Sequence, residues 1–564
     1  MTQRRPNGGW RRGSRIAATS ALAAALLTGC QAIPDSGPVE AGLSSLRQAD
    51  QPVLFVPNGP REGDSQADIV RNFVRAGSSN TDDYAIAREF LTPDYAEQWD
   101  PFAGVLVDEG TRPYRTTEDD VGVLSLSATA SVSAGGVLTP IAPGPTTEVR
   151  FELEQVDGEW RISSAPTGII LDRDTFSAVW SAHQLYFLGA DDVLVPETRW
   201  FLNRSTKATR IVNELIEGPA PSMRESLRTA FPAGTHLVSP SVPISEGTAR
   251  IDLSSEMLEA GDEEQEDLLR QLSASLQAVS NVSRYELLAD GASVASEFVG
   301  RSDEAPRGAE ASGTAVMRDG AFGLLASGDI EPVPGLSEKI AGANPSAVVL
   351  DRSLTGAAVR NGEGTYWVTE TESVLVDGRS GQLDPTVDPF GYVWTSPVGG
   401  TAQMLATLPG SGAQAVATPW LAGRDTAAIR ISPDGNRIAA LVSEQDLSAV
   451  LVAGIVRDEQ GAPVATEDEA VVQLWTTGEP IDFDWMDEQR FAVLTSAGTG
   501  SRATIGGPGV FATEAGSVQG GAKISGDGNR SQLRVLSEDG TLFAPQGSGW
   551  QPQETGVDLL AKLD

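Results

Sequence analysis

One cysteine, two histidines and four lysines among 564 residues leave little material for several kinds of chemistry. The lone Cys30 excludes an intrachain disulfide, so the chain must be held together by buried area. With His183 and His236 the only histidines, a zinc site would have to be built largely from carboxylates. No metal or cofactor is therefore expected, and both histidines are expected at a domain surface or edge. The sequence also lacks a Gly-x-Ser-x-Gly elbow, a P-loop, an EF-hand loop and a Gly-x-Gly-x-x-Gly at a strand-to-helix junction. No catalytic residue is assigned, and the chain reads as a non-enzyme. Basic residues number 41 against 77 acidic ones, a net charge of −36 that repels nucleic acid. The longest apolar stretch near the start, Ile16–Leu27, falls short of the roughly 20 residues a membrane-spanning helix needs.

What is present begins with a leader. Arg4, Arg5, Arg11, Arg12 and Arg15 precede the apolar stretch, and Leu27-Thr28-Gly29-Cys30 follows it. These four residues resemble the bacterial lipobox, which implies a signal peptide over 1–29, lipidation of Cys30 with a diacylglyceryl group and fatty acids such as palmitate, and a cell-membrane anchor on the extracytoplasmic face. A two-chain anchor is stable where one chain is marginal, each buried methylene contributing about 0.8 kcal/mol. Residues 30–63, rich in Pro, Gly, Ser and Ala, read as a tether.

Residues 64–180 read as an α+β domain. Ile69, Phe73 and Val74 share a helical face, a second helix through Tyr84–Leu91 is expected to stop at Pro93, and strands are expected at Val121–Ala130, Thr147–Glu154 and Glu159–Ser163. An Asp157-Gly158 hairpin turn separates the last two. Val156–Ile162 is similar to the closing strands of the nuclear-transport-factor-like cone fold. That likeness implies either a ligand pocket or an inert spacer, of which the spacer is preferred.

Residues 185–300 read as an α/β domain with a helix at Thr206–Glu217 closed by Gly218-Pro219, a strand near Thr248–Ser254, an acidic loop at Glu259–Asp267, a helix at Leu268–Val279 and a strand at Tyr285–Gly291. The acidic run reads as a solvated loop rather than a cation site. The order of Glu217-Gly218-Pro219, Pro232-Ala233-Gly234-Thr235 and Ala249–Ser254, with the late helix after them, resembles the GerMN domain of sporulation and germination proteins.

A polar stretch at 301–312 reads as a linker, and residues 313–560 as an all-β propeller. Six segments pair an apolar strand, a turn and a returning strand: Ala315–Ala326, Ala347–Val359, Asp384–Thr395, Ala427–Val442, Ile481–Thr495 and a fainter Leu533–Phe543. Their spacing suits four-stranded blades of roughly 40–50 residues, and Ile429–Gly435 with Arg437–Leu441 looks like a TolB-type blade. An unclosed β-sandwich pair is the alternative. Trp367, Trp394, Trp420, Trp475 and Trp485 recur as packing between blades would require, rather than as a ring for sugar stacking. Asp482, Asp484 and Asp487 could in principle cleave a glycosidic bond, but are read as blade-loop residues.

Taken together, the lipobox, the three domains in this order, Asp388–Thr395 and Phe483–Asp487 resemble the actinobacterial LpqB lipoprotein family over the mature length. The resemblance implies an accessory lipoprotein that binds the extracellular domain of a membrane sensor kinase of the MtrB type, a two-component system, and so influences cell-wall homeostasis and division. A cell-wall glycan-binding scaffold and a wall-active hydrolase remain as alternatives.

Overall fold

The computed structural model describes residues 57–79, 82–204, 206–299, 312–399 and 404–564, with Thr2. Cys30, the leader, most of the tether and residues 301–311 of the linker lie outside the described residues.

The first domain opens on a helix, Gln66–Ala76. Ser65 caps it, accepting from the Asp68 amide while Asp68 reaches back to Ser65. Ile69, Val70, Phe73 and Val74 lie on its buried face and pack against two four-stranded sheets. One sheet runs Leu138–Pro140, Ala128–Ser133, Gly104–Asp108, Ile169–Asp172; the other runs Tyr114–Glu118, Val121–Leu126, Thr147–Val156, Glu159–Ser164. The Asp157-Gly158 turn has φ of 54° and 86°, the left-handed pair that a two-residue hairpin requires. Two expectations fail here. Val121–Ala130 is not one strand: it breaks at Ser127, where the chain passes from one sheet to the other and the Ser127 carbonyl accepts from the Glu109 amide. Nor does Pro93 end a helix. The short Ala85–Arg88 helix ends earlier, and Pro93 opens the next one, Pro93–Gln98, where a missing N–H costs nothing.

The second domain packs helices Lys207–Glu217 and Asp262–Leu276 on a sheet ordered Ile244–Ser245, Thr248–Leu253, Arg284–Ala289, Ala292–Phe298. Its middle pair is parallel, as a crossover through the Asp262–Leu276 helix requires. Leu268, Leu272 and Leu276 of that helix meet Ile211, Leu215 and Tyr285 in the core. The expected acidic loop is largely helical: Asp262, Glu263 and Glu264 form the first turn, where carboxylates favour the positive end of the helix dipole. Asp267 is buried and pairs with Arg228 and Arg270.

A hairpin missed in the sequence, Trp180–Leu188 with Leu194–Leu202, crosses from one domain to the other. Val179, Trp180 and Trp200 belong to the first core, whereas Leu185, Phe187 and Val195 belong to the second.

The remaining strands make six blades, counted among the described residues: four have four strands and two have five. Their innermost strands, Val557–Leu560, Ala347–Leu350, Thr386–Val387, Asp425–Ile431, Pro480–Trp485 and Gly521–Ser525, neighbour one another in a closed ring. Val557–Leu560 pairs with Ala315–Arg318, so a strand near the end of the chain completes the first blade and leaves no edge open there, while the last strand, Lys562–Leu563, adds in parallel to Ala347–Leu350 of the second blade. Leu533–Phe543 holds the two middle strands of its blade, as Ala315–Ala326 does, while the other four segments each span a strand facing the axis and its neighbour.

Candidate functional site

The axis of the propeller is filled with charge. Pro480–Trp485 alternates faces, so Phe483 and Trp485 pack between blades against Phe491. Asp482 and Asp484 take the other side, both almost wholly buried. Asp482 pairs with Arg430 at 3.1 Å and with Lys562 at 3.1 Å. Asp484 lies 3.8 Å from each of these cations. Each carboxylate also stitches two blades together, accepting the Ile524 and Gly526 amides at 3.1 and 2.9 Å. Lys562, from the closing segment, donates to the Phe483 and Ile524 carbonyls as well. Two residues on, Asp564 accepts from the Thr386 hydroxyl and the Val387 amide. Asp384 pairs with Arg360 and Lys523 at 2.6 and 2.5 Å.

Burial and charge set the protonation of this network. Despite burial, Lys562, Lys523 and Arg430 hold Asp482 below the usual carboxylate range. Asp484 is pushed up to about 7, because burial and the neighbouring Asp564 outweigh Lys562 and Arg430. A cavity of about 490 Å³ borders the network, lined by Asp384, Lys523, Ser537 and Lys562 among others.

The three aspartates expected as blade-loop residues are therefore separated. Asp482 and Asp484 sit on an innermost strand, because their i, i+2 spacing aims both at the axis. Asp487 lies beyond it in a turn, bound to Arg490 through two hydrogen bonds of 2.9 and 2.6 Å. His236 is exposed as expected. His183 is instead buried in the bridging hairpin, 2.8 Å from the Ser181 hydroxyl. The tryptophans form no ring: Trp394 and Trp420 are buried in one inter-blade cluster, which Trp475 flanks, while Trp485 and Trp367 pack into others. Among the described residues no group of His, Cys, Asp or Glu could hold a metal. Sequence reasoning missed Arg430, Lys523, Lys562 and Asp384. A signal existed: two of the only four lysines, in a chain otherwise using arginine, lie in this network.

A second constellation joins the domains. In the Asp388–Thr395 stretch, the buried Asp388 carboxylate accepts from the Phe390 and Tyr392 amides, the Trp394 indole and Arg457. Arg457 covers the Phe390 ring at 4.1 Å. Beside it, the Asp434-Gly435 turn presents Asn436 and Arg437 to the second domain. Arg437, buried and paired with Asp434 at 2.9 Å, donates to the Pro196 carbonyl. Asn436 accepts from the Ala190 amide at 3.1 Å. Glu467 accepts the Glu225 and Ser226 amides. On the first domain, the Trp200 indole donates to the Gly509 carbonyl, and Phe511 inserts against Phe176 and Trp200.

Comparison with known proteins fits this architecture. Residues 59–177 match the family model for the lipoprotein LpqB N-terminal domain, and residues 320–559 that for the lipoprotein LpqB β-propeller domain. The chain belongs to the LpqB lipoprotein family. Between these two regions of the LpqB-family chain, residues 184–295 match the model for sporulation and spore germination. Its relatives include lipoprotein LpqB of Cutibacterium acnes, 26% identical over 98% of this chain and 99% of the relative. That of Streptomyces avermitilis is 26% identical, covering 96% and 97%. That of Thermobifida fusca is 27% identical, covering 85% and 87%. Membership in a lipoprotein family implies anchoring to a membrane, and among the described residues no helix is long and apolar enough to cross one.

Proposed function

We propose that this LpqB-family chain is a lipid-anchored accessory protein on the extracytoplasmic face, held through Cys30, that binds and modulates a sensor kinase of the MtrB type and so affects cell-wall homeostasis and division. The observation that carries a binding role over hydrolysis is the state of the axial carboxylates. A carboxylate pair that cleaves glycosidic bonds needs an acid and a base or nucleophile about 5–9.5 Å apart around substrate. Asp482 and Asp484 instead share two cations and bind backbone amides of the next blade, so their lone pairs are engaged in holding the ring together. The buried polar contacts between all three domains support a single rigid body with a large surface, which suits recognition. An anchor in the kinase's own membrane raises the effective concentration of a weak partner.

The test is photocrosslinking in intact membranes from cells expressing the full chain, with crosslinkers on exposed residues of each domain, followed by identification of the adducts. Adducts with a sensor kinase's extracellular domain, lost when that domain is deleted, are expected. Adducts with wall glycan alone would replace the kinase reading with a scaffold, and release of wall fragments by the purified chain would replace it with a hydrolase.

A further inference from the structure

The first domain, for which a spacer role is preferred on sequence, contains an apolar cavity of about 210 Å³ between its helix and sheets. Phe73, Trp99, Val105, Phe151 and Ile169 line it. A buried apolar void of roughly 150 Å³ already accepts a benzene ring, so this one has room for a short stretch of hydrocarbon. Exposed Ala103, Pro166 and Thr167 form its rim. The wall is not uniformly apolar: Trp99 is 2% exposed, yet its indole N–H has no acceptor. A buried donor left unpaired is costly, and a ligand oxygen reaching it would relieve that cost.

Next to this cavity lies a cleft of about 470 Å³, and Val74 and Ile170 line both. The cleft carries Arg71, Arg75 and Arg112. Arg112 is committed to Asp108 through two hydrogen bonds. The cleft's one carboxylate, Asp172, caps a helix by accepting from the Thr175 amide and hydroxyl at 2.9 and 2.8 Å. Arg71 and Arg75, one helical turn apart, are exposed. Two arginines in a cleft adjoining an apolar cavity stand out in a chain of net charge −36.

From this juxtaposition we infer that the first domain binds a single-chain anionic amphiphile, its hydrocarbon in the cavity beside Trp99 and its phosphate or carboxylate head at Arg71 and Arg75. Because the arginines are exposed, their attraction is screened by salt, while the apolar part is not. The inference is independent of the kinase reading.

The full chain in phosphatidylcholine nanodiscs is irradiated with dodecyl phosphate carrying a mid-chain diazirine, and the labelled peptides are mapped. Labelling is expected within 73–77, 103–106 and 166–170. Ser131→Phe, which fills the cavity from its lining, should cut labelling at least fivefold, and Ser131→Ala should not. Arg71→Glu with Arg75→Glu, both on the exposed face and so tolerated by the fold, should cut it comparably at low salt. Excess inorganic phosphate should leave labelling in place. Label scattered over the propeller, or labelling unchanged in Ser131→Phe or in the double arginine variant, would overturn the inference. So would displacement by inorganic phosphate alone, which would mark an anion site without a tail.

Discussion

Lys562→Met tests whether the axial charges hold the propeller together. The substitution keeps the length and apolar stem of the side chain and removes one ammonium. That ammonium donates to Asp482, Phe483 and Ile524 from a position 4% exposed, and breaking a buried pair from one side costs about 3–5 kcal/mol. For a propeller of this size the loss corresponds to roughly 10 °C in melting temperature. The loss should depend on pH, and Asp484 gives the sign. Its native pKa is raised from 3.8 to about 7, so the native state holds this proton more tightly than the unfolded chain does, and the contribution of Asp484 to stability falls as pH rises between these values. Lys562 is the strongest influence holding that pKa down. Without it Asp484 stays protonated to higher pH, relieving about 1.4 kcal/mol per unit of pKa shift when the pH is low enough for the proton to bind. Thermal melts followed by tryptophan fluorescence should therefore show a larger deficit at pH 8 than at pH 6. Adding Asp484→Asn should abolish the extra deficit seen at pH 8 relative to pH 6 while leaving the pH-independent loss. Equal deficits at the two pH values, or an extra pH 8 deficit that persists in the double variant, would refute the account.

Further outcomes follow from the same structure. Asp482 and Asp384 are held below the ordinary carboxylate range, so their stabilisation is complete above pH 4 and is lost as pH falls through their native pKa values; acid titration of tryptophan fluorescence should show propeller unfolding below pH 4. Asp388→Ala strands the buried Arg457 charge and removes three further hydrogen bonds, at about 3–5 kcal/mol in chemical denaturation. Arg437→Ala should leave each domain folded yet expose the Leu188–Leu194 turn to limited proteolysis, because it removes the buried donor to Pro196. Cys30→Ala should abolish metabolic labelling with fatty acid, since no other thiol exists in the chain; retained label would place the lipid elsewhere.

Elements governed by local chemistry were legible in the sequence. The Asp157-Gly158 turn, the Lys207–Glu217 helix with Gly218 at φ 98°, and the strand-turn-strand grammar of the blades each depend on neighbouring residues alone. Elements governed by distant partners were not. Trp180–Leu202 carries apolar residues for two cores at once, so its pattern matches neither domain's rhythm. The acidic run around Asp262 reads as a loop until the dipole of the helix beneath it is counted. The axial network joins six stretches of chain from Arg360 to Asp564, and only the closed ring brings them together.

That closure also changes what the aspartates mean. In sequence, Asp482 and Asp484 are two acids among 77, and their spacing alone allows catalysis or chance. In the ring, each carboxylate accepts a neighbouring blade's amide and faces cations from two other segments. Charges so placed add little net stability compared with an apolar core, because desolvation offsets attraction. Their effect is on register: Asp482 and Asp484 bind the amides of Ile524 and Gly526, two residues apart like themselves, and Lys562 spans both blades. A slip of one residue in the Gly521–Ser525 strand would turn its side chains to the opposite faces and leave both carboxylates without these donors. The buried charge therefore penalises misregistered rings more than it favours the correct one, which suits a propeller whose first two blades are completed only when Val557–Leu560 and Lys562–Leu563 arrive from the end of the chain.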